Sequence, residues 1–186
     1  MGASWKRGNV YDAGWAGRTV AEMSIPDPAI QKTLDNESGV PIENDNGRGL
    51  SVWGVTYTTV TGLGLGWTMD YLRNLTRDQA ADFYLKYFWN PSHLELITDQ
   101  DVANKVFDTG VVNGMATSIM LLQISVNMTP DGIIGQKTAE AVNSMSPVNA
   151  LNHFIYEITM HYRGLIEHNP QLQADLAGWF NRLHRG

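Results

Sequence analysis

Apolar residues recur at helical intervals through most of this 186-residue chain. Near its start, Ile30, Leu34 and Glu37 are spaced by four and then three residues, so they share one face of a helix. We predict that this helix begins at Asp27–Pro28, with the aspartate as N-cap, and stops at Gly39. Glu37 then ends an apolar stripe in the last turn of the helix.

The same periodicity predicts helices along the rest of the chain. Thr76–Gln79 reads as a capping box, and the apolar repeat over Ala80–Phe88 continues until Asn90–Pro91 ends the helix. Thr98 is predicted to cap another helix, which Asn113–Gly114 breaks. Three further segments carry apolar helical patterns: a buried stretch over 119–124, a long helix from 146 to just before 170, and a last helix over 172–183.

Residues 43–66 interrupt this pattern, because they are rich in Asn, Gly and Thr. Such a composition favours turns, and it predicts a small hairpin around Leu50–Thr61. The segment TPDGIIG at 129–135 predicts a further turn. The predicted fold is therefore mainly α, with a small Gly-rich hairpin beside the helix that carries Glu37.

Composition narrows the possible functions. A net charge of −6 argues against a nucleic-acid partner, and the absence of cysteine excludes disulfides, thiolate nucleophiles and cysteine zinc sites. The five histidines form no His-Glu-x-x-His pattern, and His153 and Glu157 have no third ligand nearby in sequence, so no metal site is predicted. No apolar run reaches the roughly 18 residues of a membrane span. Residues 1–27 lack the apolar stretch of a signal peptide.

The position of Glu37 suggests acid catalysis. Apolar neighbours disfavour the ionised form of a carboxyl group, and so does the negative end of a helix dipole. Glu37 is therefore expected to keep its proton near neutrality, as the general acid of glycoside hydrolysis must. By spacing alone, an exposed residue at a helix end is the commoner explanation. Trp53 and Tyr57 nearby offer flat faces, and Ser51 and Thr56 offer hydroxyls, which together suit a sugar chain.

Two stretches around this glutamate carry a recognisable motif. ESG at 37–39 is followed by NGRGLSVWGVT at 46–56. They resemble the signature of glycoside hydrolase family 108, a family of phage and bacterial muramidases, which reads Glu-Gly-Gly, Asp-x-Gly-Gly-x-Thr and aromatic-Gly-Ile-Thr. Four later segments resemble further motifs of the family, the last two those of its predicted peptidoglycan-binding region: AADFYLKYFW (80–89), VFDTGVVNG (106–114), DGIIGQKT (131–138) and residues 161–183.

The resemblance implies a lysozyme-like helical fold and an enzyme that cleaves the β-1,4 bond between N-acetylmuramic acid and N-acetylglucosamine. It makes Glu37 the general acid and implies no metal or organic cofactor. It implies a catalytic region over 29–97 and a helical peptidoglycan-binding region over 98–186 packed on it, with an N-terminal arm, 1–28, outside the match. The expected partner is a peptidoglycan glycan strand. The sequence leaves the oligomeric state open, with a monomer favoured.

The expected place of action also follows from the resemblance. The protein is expected to be made in a host cytoplasm without a signal peptide. It would then act on the cell wall after release, or as part of a phage particle.

The chain departs from the family pattern at the second catalytic group. The aspartate of the family motif falls on Asn46 and its threonine on Ser51, and an amide cannot act as a carboxylate nucleophile or base. Either Asp45 takes that part, or Ser51 and Asn46 hold a water molecule. Two alternatives to hydrolysis therefore stay open: a lytic transglycosylase acting on the same bond, and a non-catalytic peptidoglycan-binding or virion protein.

Residues around these motifs are candidates for glycan binding. Trp89 precedes the predicted helix break, where a groove-lining and a core position are both reasonable. Asp108 and Asn113 flank the next break, where short polar side chains commonly satisfy turns, although one of them could instead hold the Glu37 loop or touch the substrate. The predicted glycan-binding residues are Asn46, Trp53, Thr56, Tyr57, Trp89 and Asn113.

Overall fold

The computed structural model describes residues 23–45 and 47–184. Residues 1–22 of the predicted N-terminal arm therefore lie outside the described residues, and its last three residues form the start of the first helix. The fold is mainly helical, with one small sheet, which confirms the predicted lysozyme-like class. The helices are α1 (Pro26–Asn36), α2 (Tyr57–Gly62), α3 (Met69–Arg73), α4 (Arg77–Tyr84), α5 (Asn90–Ser92), α6 (Gln100–Asn113), α7 (Met115–Ser125), α8 (Gln136–Asn143), α9 (Pro147–His168) and α10 (Leu176–His184).

Helix α6 runs through the centre of the molecule. Every residue from Val102 to Gly110 is buried, so no face of this part of the helix meets solvent. Helices α1, α7 and α9 pack around it. Because α1 carries Ile30 and Leu34 on its buried face, the predicted apolar stripe is confirmed, and it fixes the end of α1 against α6.

The ends of α1 differ from the prediction. The helix begins at Pro26, after Ile25, so Asp27 lies in the first turn and is not the N-cap. It ends at Asn36, and Glu37 is the C-cap residue with an extended backbone. Gly39 does not stop the helix, because the chain has already left the helical conformation at Glu37. The next residue, Ser38, accepts a hydrogen bond from Trp53 N through its carbonyl.

The predicted hairpin is present but shorter. Strands β1 (Ser51–Val52) and β2 (Val55–Thr56) pair antiparallel, with Ser51 opposite Thr56. Trp53 and Gly54 form the two-residue turn, and both have positive φ (53° and 73°), the backbone that a type I′ turn requires. The hairpin ends at Thr56, because its side chain accepts a hydrogen bond from Thr59 N and caps α2.

Two helix boundaries after the hairpin also correct the prediction. The capping box of α4 is confirmed, but the chain continues through a π-helical turn (Leu85–Trp89) into α5, past the Asn90–Pro91 stop. The wider turn avoids the clash of a proline ring with the carbonyl four residues earlier. Asp99, not Thr98, caps α6, since Thr98 is bonded through its N–H and hydroxyl to Asn143.

The C-terminal helices fold back onto the first half of the chain. Helix α9 begins after Ser146 and ends before Pro170, as predicted, and short 3₁₀ turns lie at Leu94–Leu96 and Pro170–Ala174. Helix α10 then packs on α9 through the stacked rings of Trp179 and Tyr162, whose centroids are 4.7 Å apart. Across the described residues, no helix is long and apolar enough to cross a bilayer.

Candidate active site

Glu37 lies at the junction of α1, the hairpin and α10. Its side chain is 21% exposed, so it reaches solvent without being surrounded by it. A Cβ atom added to Gly54 would lie 2.9 Å from the carboxyl carbon of Glu37, which shows how closely the hairpin turn approaches. The glycine at this turn therefore leaves room for the carboxyl group.

Arg182 links Glu37 to Asp108. Its Nη1 donates a hydrogen bond of 2.6 Å to Oε1 of Glu37, while Nε and Nη2 donate to the Asp108 carboxylate at 2.9–3.2 Å. The exposed fractions are 22% for the arginine and 11% for the aspartate. Burial opposes the charge of Arg182, but the two carboxylates outweigh it and raise its pKa above the ordinary value.

The two oxygens of Glu37 have different surroundings. Oε1 is held by Arg182, whereas Oε2 has no hydrogen-bond partner among residues 23–45 and 47–184. The apolar surroundings predicted from the sequence are thus only part of the environment, since a guanidinium also contacts the carboxylate. Asp108 lies on the other side of that guanidinium and offsets its charge.

Tyr84 closes the inner side of the site. Its hydroxyl donates a hydrogen bond of 3.0 Å to the Trp53 carbonyl, and it would lie 2.6 Å from a Cβ atom on Gly54. Burial, followed by the nearby charge of Glu37, raises the pKa of Tyr84. Tyr84 thus stays a neutral donor and fixes the hairpin turn against Glu37.

Trp53 shapes the loop after Glu37. Its Nε1 donates to the Leu75 carbonyl at 3.1 Å, and the guanidinium of Arg77 lies 5.7 Å from the ring centre. A Cβ atom on Gly39 would overlap the indole ring, so only glycine fits there. This explains the glycine of the ESG motif by packing. Trp53 is half-buried, and glycan contact by its exposed part remains a prediction.

Two candidates for the second catalytic group, Asp45 and Ser51, are described, and both lie on the hairpin side. Asp45 pairs with Arg48, whose Nη2 lies 3.1 Å from Oδ2, and no described hydrogen bond or ion pair joins Asp45 to Glu37. Ser51 is buried in β1. Asn46 lies outside the described residues. Among the described residues, neither Asp45 nor Ser51 shares a hydrogen bond or an ion pair with Glu37.

The other predicted glycan-binding residues have structural contacts. Thr56 is buried as the cap of α2, and Tyr57 is half-buried in the first turn of that helix. The amide of Asn113 donates to the Tyr162 hydroxyl and to the Thr109 carbonyl. Trp89 is only 2% exposed and packs on Phe107, so the groove-lining interpretation of Trp89 is wrong for this structure and the core interpretation holds.

Sequence reasoning missed Arg182 and underrated Asp108. The sequence predicts Asp108 beside a helix break, but it lies inside α6, where it binds Arg182 and so is linked to Glu37. Arg182 had no signal, because nothing near it in sequence marks it as facing two carboxylates. Among the described residues, no three His, Asp or Glu side chains cluster as metal ligands.

Comparison with known proteins supports the class of glycoside hydrolases. Residues 30–114 match the family model described as Glycosyl hydrolase 108, the family that the motifs resemble. The matched segment contains Glu37, the hairpin, Tyr84 and Asp108, and it ends before α7 and so does not reach Arg182. No curated protein matches the chain.

A solved structure extends the comparison beyond the family match. The structure of Brucella abortus SagA matches with a TM-score of 0.73 at 23% sequence identity, covering 86% of this chain and 90% of that one. At this identity the likeness shows a shared fold. Because it covers most of the chain, that fold includes helices C-terminal to the family match.

Proposed function

We propose that this protein is a peptidoglycan hydrolase, an N-acetylmuramidase that cleaves the β-1,4 bond between N-acetylmuramic acid and N-acetylglucosamine. The observation that carries the proposal is the placement of Glu37. Its carboxyl group sits at the end of α1, half-buried and fixed at Oε1, within the segment that matches the glycosyl hydrolase family. The substrate and the bond come from the resemblance to family 108.

In this proposal Oε2 of Glu37 carries the catalytic proton. The proton passes from Oε2 to the glycosidic oxygen as the bond between that oxygen and the anomeric carbon breaks. Positive charge develops on the sugar ring. Arg182 holds Oε1 and so leaves Oε2 as the atom that can face the substrate.

The second step needs a group that activates water. Asp45 is the first candidate, since it is the carboxylate nearest in sequence to the family position at Asn46, and it can take the proton of a water molecule that attacks the anomeric carbon. A water molecule held by Ser51 and Asn46 is the alternative. Trp53, Thr56, Tyr57 and Asn113 are proposed glycan-binding residues, with Trp89 left out because it is buried.

A lytic transglycosylase is the second candidate, and the ion pair between Asp45 and Arg48 favours it. That contact engages the carboxylate proposed to activate water. In a transglycosylase the 6-hydroxyl of the muramic acid attacks its own anomeric carbon, so no water is consumed and an anhydro end forms. Glu37 would serve as the acid in both reactions.

We also propose that residues 98–186 contribute to binding peptidoglycan, and that the protein acts at the cell wall after release or within a phage particle. The similarity of 131–138 and 161–183 to the family's C-terminal region supports the first part. The substrate class supports the second.

The test is product analysis with purified peptidoglycan. Wild type is compared with Glu37→Gln, which keeps the shape of the side chain but cannot supply the proton. Asp70→Asn is the control, because it makes the same change from carboxylate to amide at a side chain of α3 that is 90% exposed. Wild type and Asp70→Asn are expected to release fragments, and Glu37→Gln is expected to release none.

The products separate the candidates. Reducing muramic acid ends indicate hydrolysis, and anhydro ends indicate transglycosylation. Equal degradation by wild type and Glu37→Gln would overturn the assignment of the acid. Binding without degradation by every variant would make the protein a peptidoglycan-binding protein.

A further inference from the structure

We propose that Arg182 is a positioning residue for Glu37, so that α10 belongs to the catalytic centre. This proposal rests on the proposed function, since it assumes that Glu37 is the catalytic acid. The family match ends at Gly114, and Arg182 lies 68 positions beyond it. The resemblance assigns this C-terminal part of the chain to a peptidoglycan-binding region.

The first argument is geometric. Glu37 lies just past the end of α1 and has an extended backbone. Its N–H still donates a long hydrogen bond of 3.4 Å to the Leu34 carbonyl, but the regular hydrogen bonds of the helix have ended. The contact with Arg182 is the one described hydrogen bond made by its side chain. The position of the carboxyl group therefore depends on Arg182, and a small displacement at a reacting group lowers rates strongly.

The second argument concerns the orientation of Arg182 itself. Asp108 binds Nε and Nη2, which leaves Nη1 directed at Glu37. The planar guanidinium can satisfy both carboxylates only in this orientation, a geometry that lysine cannot reproduce. Because α6 is buried along this stretch, Asp108 provides a rigid anchor.

The third argument concerns charge. The guanidinium of Arg182 is mostly buried, and it binds the Asp108 carboxylate through Nε and Nη2 and Glu37 through Nη1. The two carboxylates raise the pKa of Arg182 above its ordinary value, so it stays charged where it holds Oε1. Arg182 of α10 binds Glu37 directly, and Asp108 of α6 binds the same guanidinium. The charges of Glu37, Arg182, Asp108 and Arg48 also act on Tyr84 of α4.

The fourth argument is that α10 is held in place next to the site. Nζ of Lys105 donates a hydrogen bond of 2.7 Å to the Leu183 carbonyl, one residue from Arg182. One turn earlier, Trp179 stacks on Tyr162 of α9. These contacts lie on both sides of Arg182 along α10, so they fix where its side chain begins.

The experiment uses the full chain and measures kcat and KM on solubilised peptidoglycan, with binding to intact cell walls as a separate readout. Arg182→Gln removes the charge and the fork, and Arg182→Lys keeps the charge alone. Arg73→Gln is the control, because Arg73 of α3 also pairs with two carboxylates, Glu43 and Asp70, but on the exposed surface. We expect Arg182→Gln to lower kcat by roughly a hundredfold, with KM and cell-wall binding unchanged. Arg182→Lys is expected to restore part of kcat, and Arg73→Gln to match wild type.

A second variant keeps the proposal testable if Arg182→Gln does not fold. Asp108→Asn keeps the shape of the anchor but leaves the guanidinium charge uncompensated. Its kcat is expected to fall with KM unchanged, because an amide binds Nε and Nη2 less strongly than a carboxylate and so holds the guanidinium less firmly. A kcat equal to that of wild type would contradict the role of Asp108 as the anchor of Arg182.

Other results would overturn the proposal in distinct ways. If Glu37→Gln is inactive while folded Arg182→Gln has the kcat of wild type, the positioning role is wrong and the proposed function stands. A higher kcat for Arg182→Gln would make Arg182 an inhibitory contact, which also overturns it. If Glu37→Gln is as active as wild type, the proposed function itself fails.

Discussion

Nη1 of Arg182 lies 2.6 Å from Oε1 of Glu37, although 145 positions separate the two residues in the chain. The contact joins the first and the last described helices, so the site is complete only when both halves of the chain have folded together. The resemblance divides the chain into a catalytic region, 29–97, and a binding region, 98–186. These two parts are in direct contact at the proposed acid, because Arg182 binds Glu37.

Gly54→Ala should impair activity more than its backbone strain explains. Gly54 has φ of 73°, and an added Cβ would lie 2.6 Å from the Tyr84 hydroxyl and 2.9 Å from the Glu37 carboxyl carbon. We expect a loss of stability above about 1 kcal/mol and a reduced kcat, measured by urea denaturation and by release of peptidoglycan fragments.

Gly64→Ala is the matched control for that substitution. Gly64 has φ of 66° but no atom within 4 Å of an added Cβ, so it shares the strain and lacks the collision. Its kcat should equal that of wild type. If the two variants lose activity equally, the close approach of the hairpin turn to Glu37 is not what matters.

Tyr84→Phe should destabilise the hairpin turn. The substitution leaves the Trp53 carbonyl without the hydrogen bond that Tyr84 donates inside the protein. The expected cost is about 1–2 kcal/mol, seen as a lower denaturation midpoint, with a fall in kcat because the turn contacts Glu37. Tyr71→Phe, at an exposed tyrosine, should change neither; a similar loss there would show that the effect is not specific to the site.

The local parts of the fold could be predicted from the sequence. Short-range patterns determine the capping box of Thr76–Gln79, the break at Asn113–Gly114 and the start of α9 after Ser146, because each depends on neighbouring residues. Where a distant residue intervenes, the prediction is wrong. Thr98 suits a helix cap by sequence, but its N–H and hydroxyl bind Asn143, and Asp99 is the N-cap of α6.

The candidate site shows the same division. Glu37 could be found because it lies in a compact motif with the hairpin glycines. Arg182 could not, since its partners are brought together by the packing of α1, α6 and α10, and a single arginine in a helix has many possible partners. Trp89 was ambiguous for a related reason: an aromatic residue near a helix end carries no mark of which way it points, and here it points into the core.

Thr33→Val should stabilise the protein. The Thr33 hydroxyl is fully buried in α1 and has no hydrogen-bond partner among the described residues, so it bears a desolvation cost without compensation. Valine has nearly the same shape, and its methyl group suits the apolar surroundings. We expect a gain of about 1 kcal/mol by urea denaturation.

Thr138→Val provides the contrasting substitution. The Thr138 hydroxyl is also buried, but it accepts a hydrogen bond from Gln123 and donates one to the Ile133 carbonyl. This variant should lose stability. A gain in both variants would show that the methyl group, and not the unpaired hydroxyl of Thr33, determines the result.

His161→Gln should reduce the acid sensitivity of folding. Burial lowers the pKa of His161 below its ordinary value of 6.5, so the unfolded chain binds the proton more readily than the folded one. The stability that follows from this difference is present above pH 6.5 and is lost as the pH falls through the lowered pKa. The effect is measured by thermal denaturation of wild type and His161→Gln over a pH range from about one unit above 6.5 to about two units below it. Relative to its own value at the highest pH, the Tm of wild type should fall further than that of the variant; parallel curves would mean that His161 titrates alike in both states.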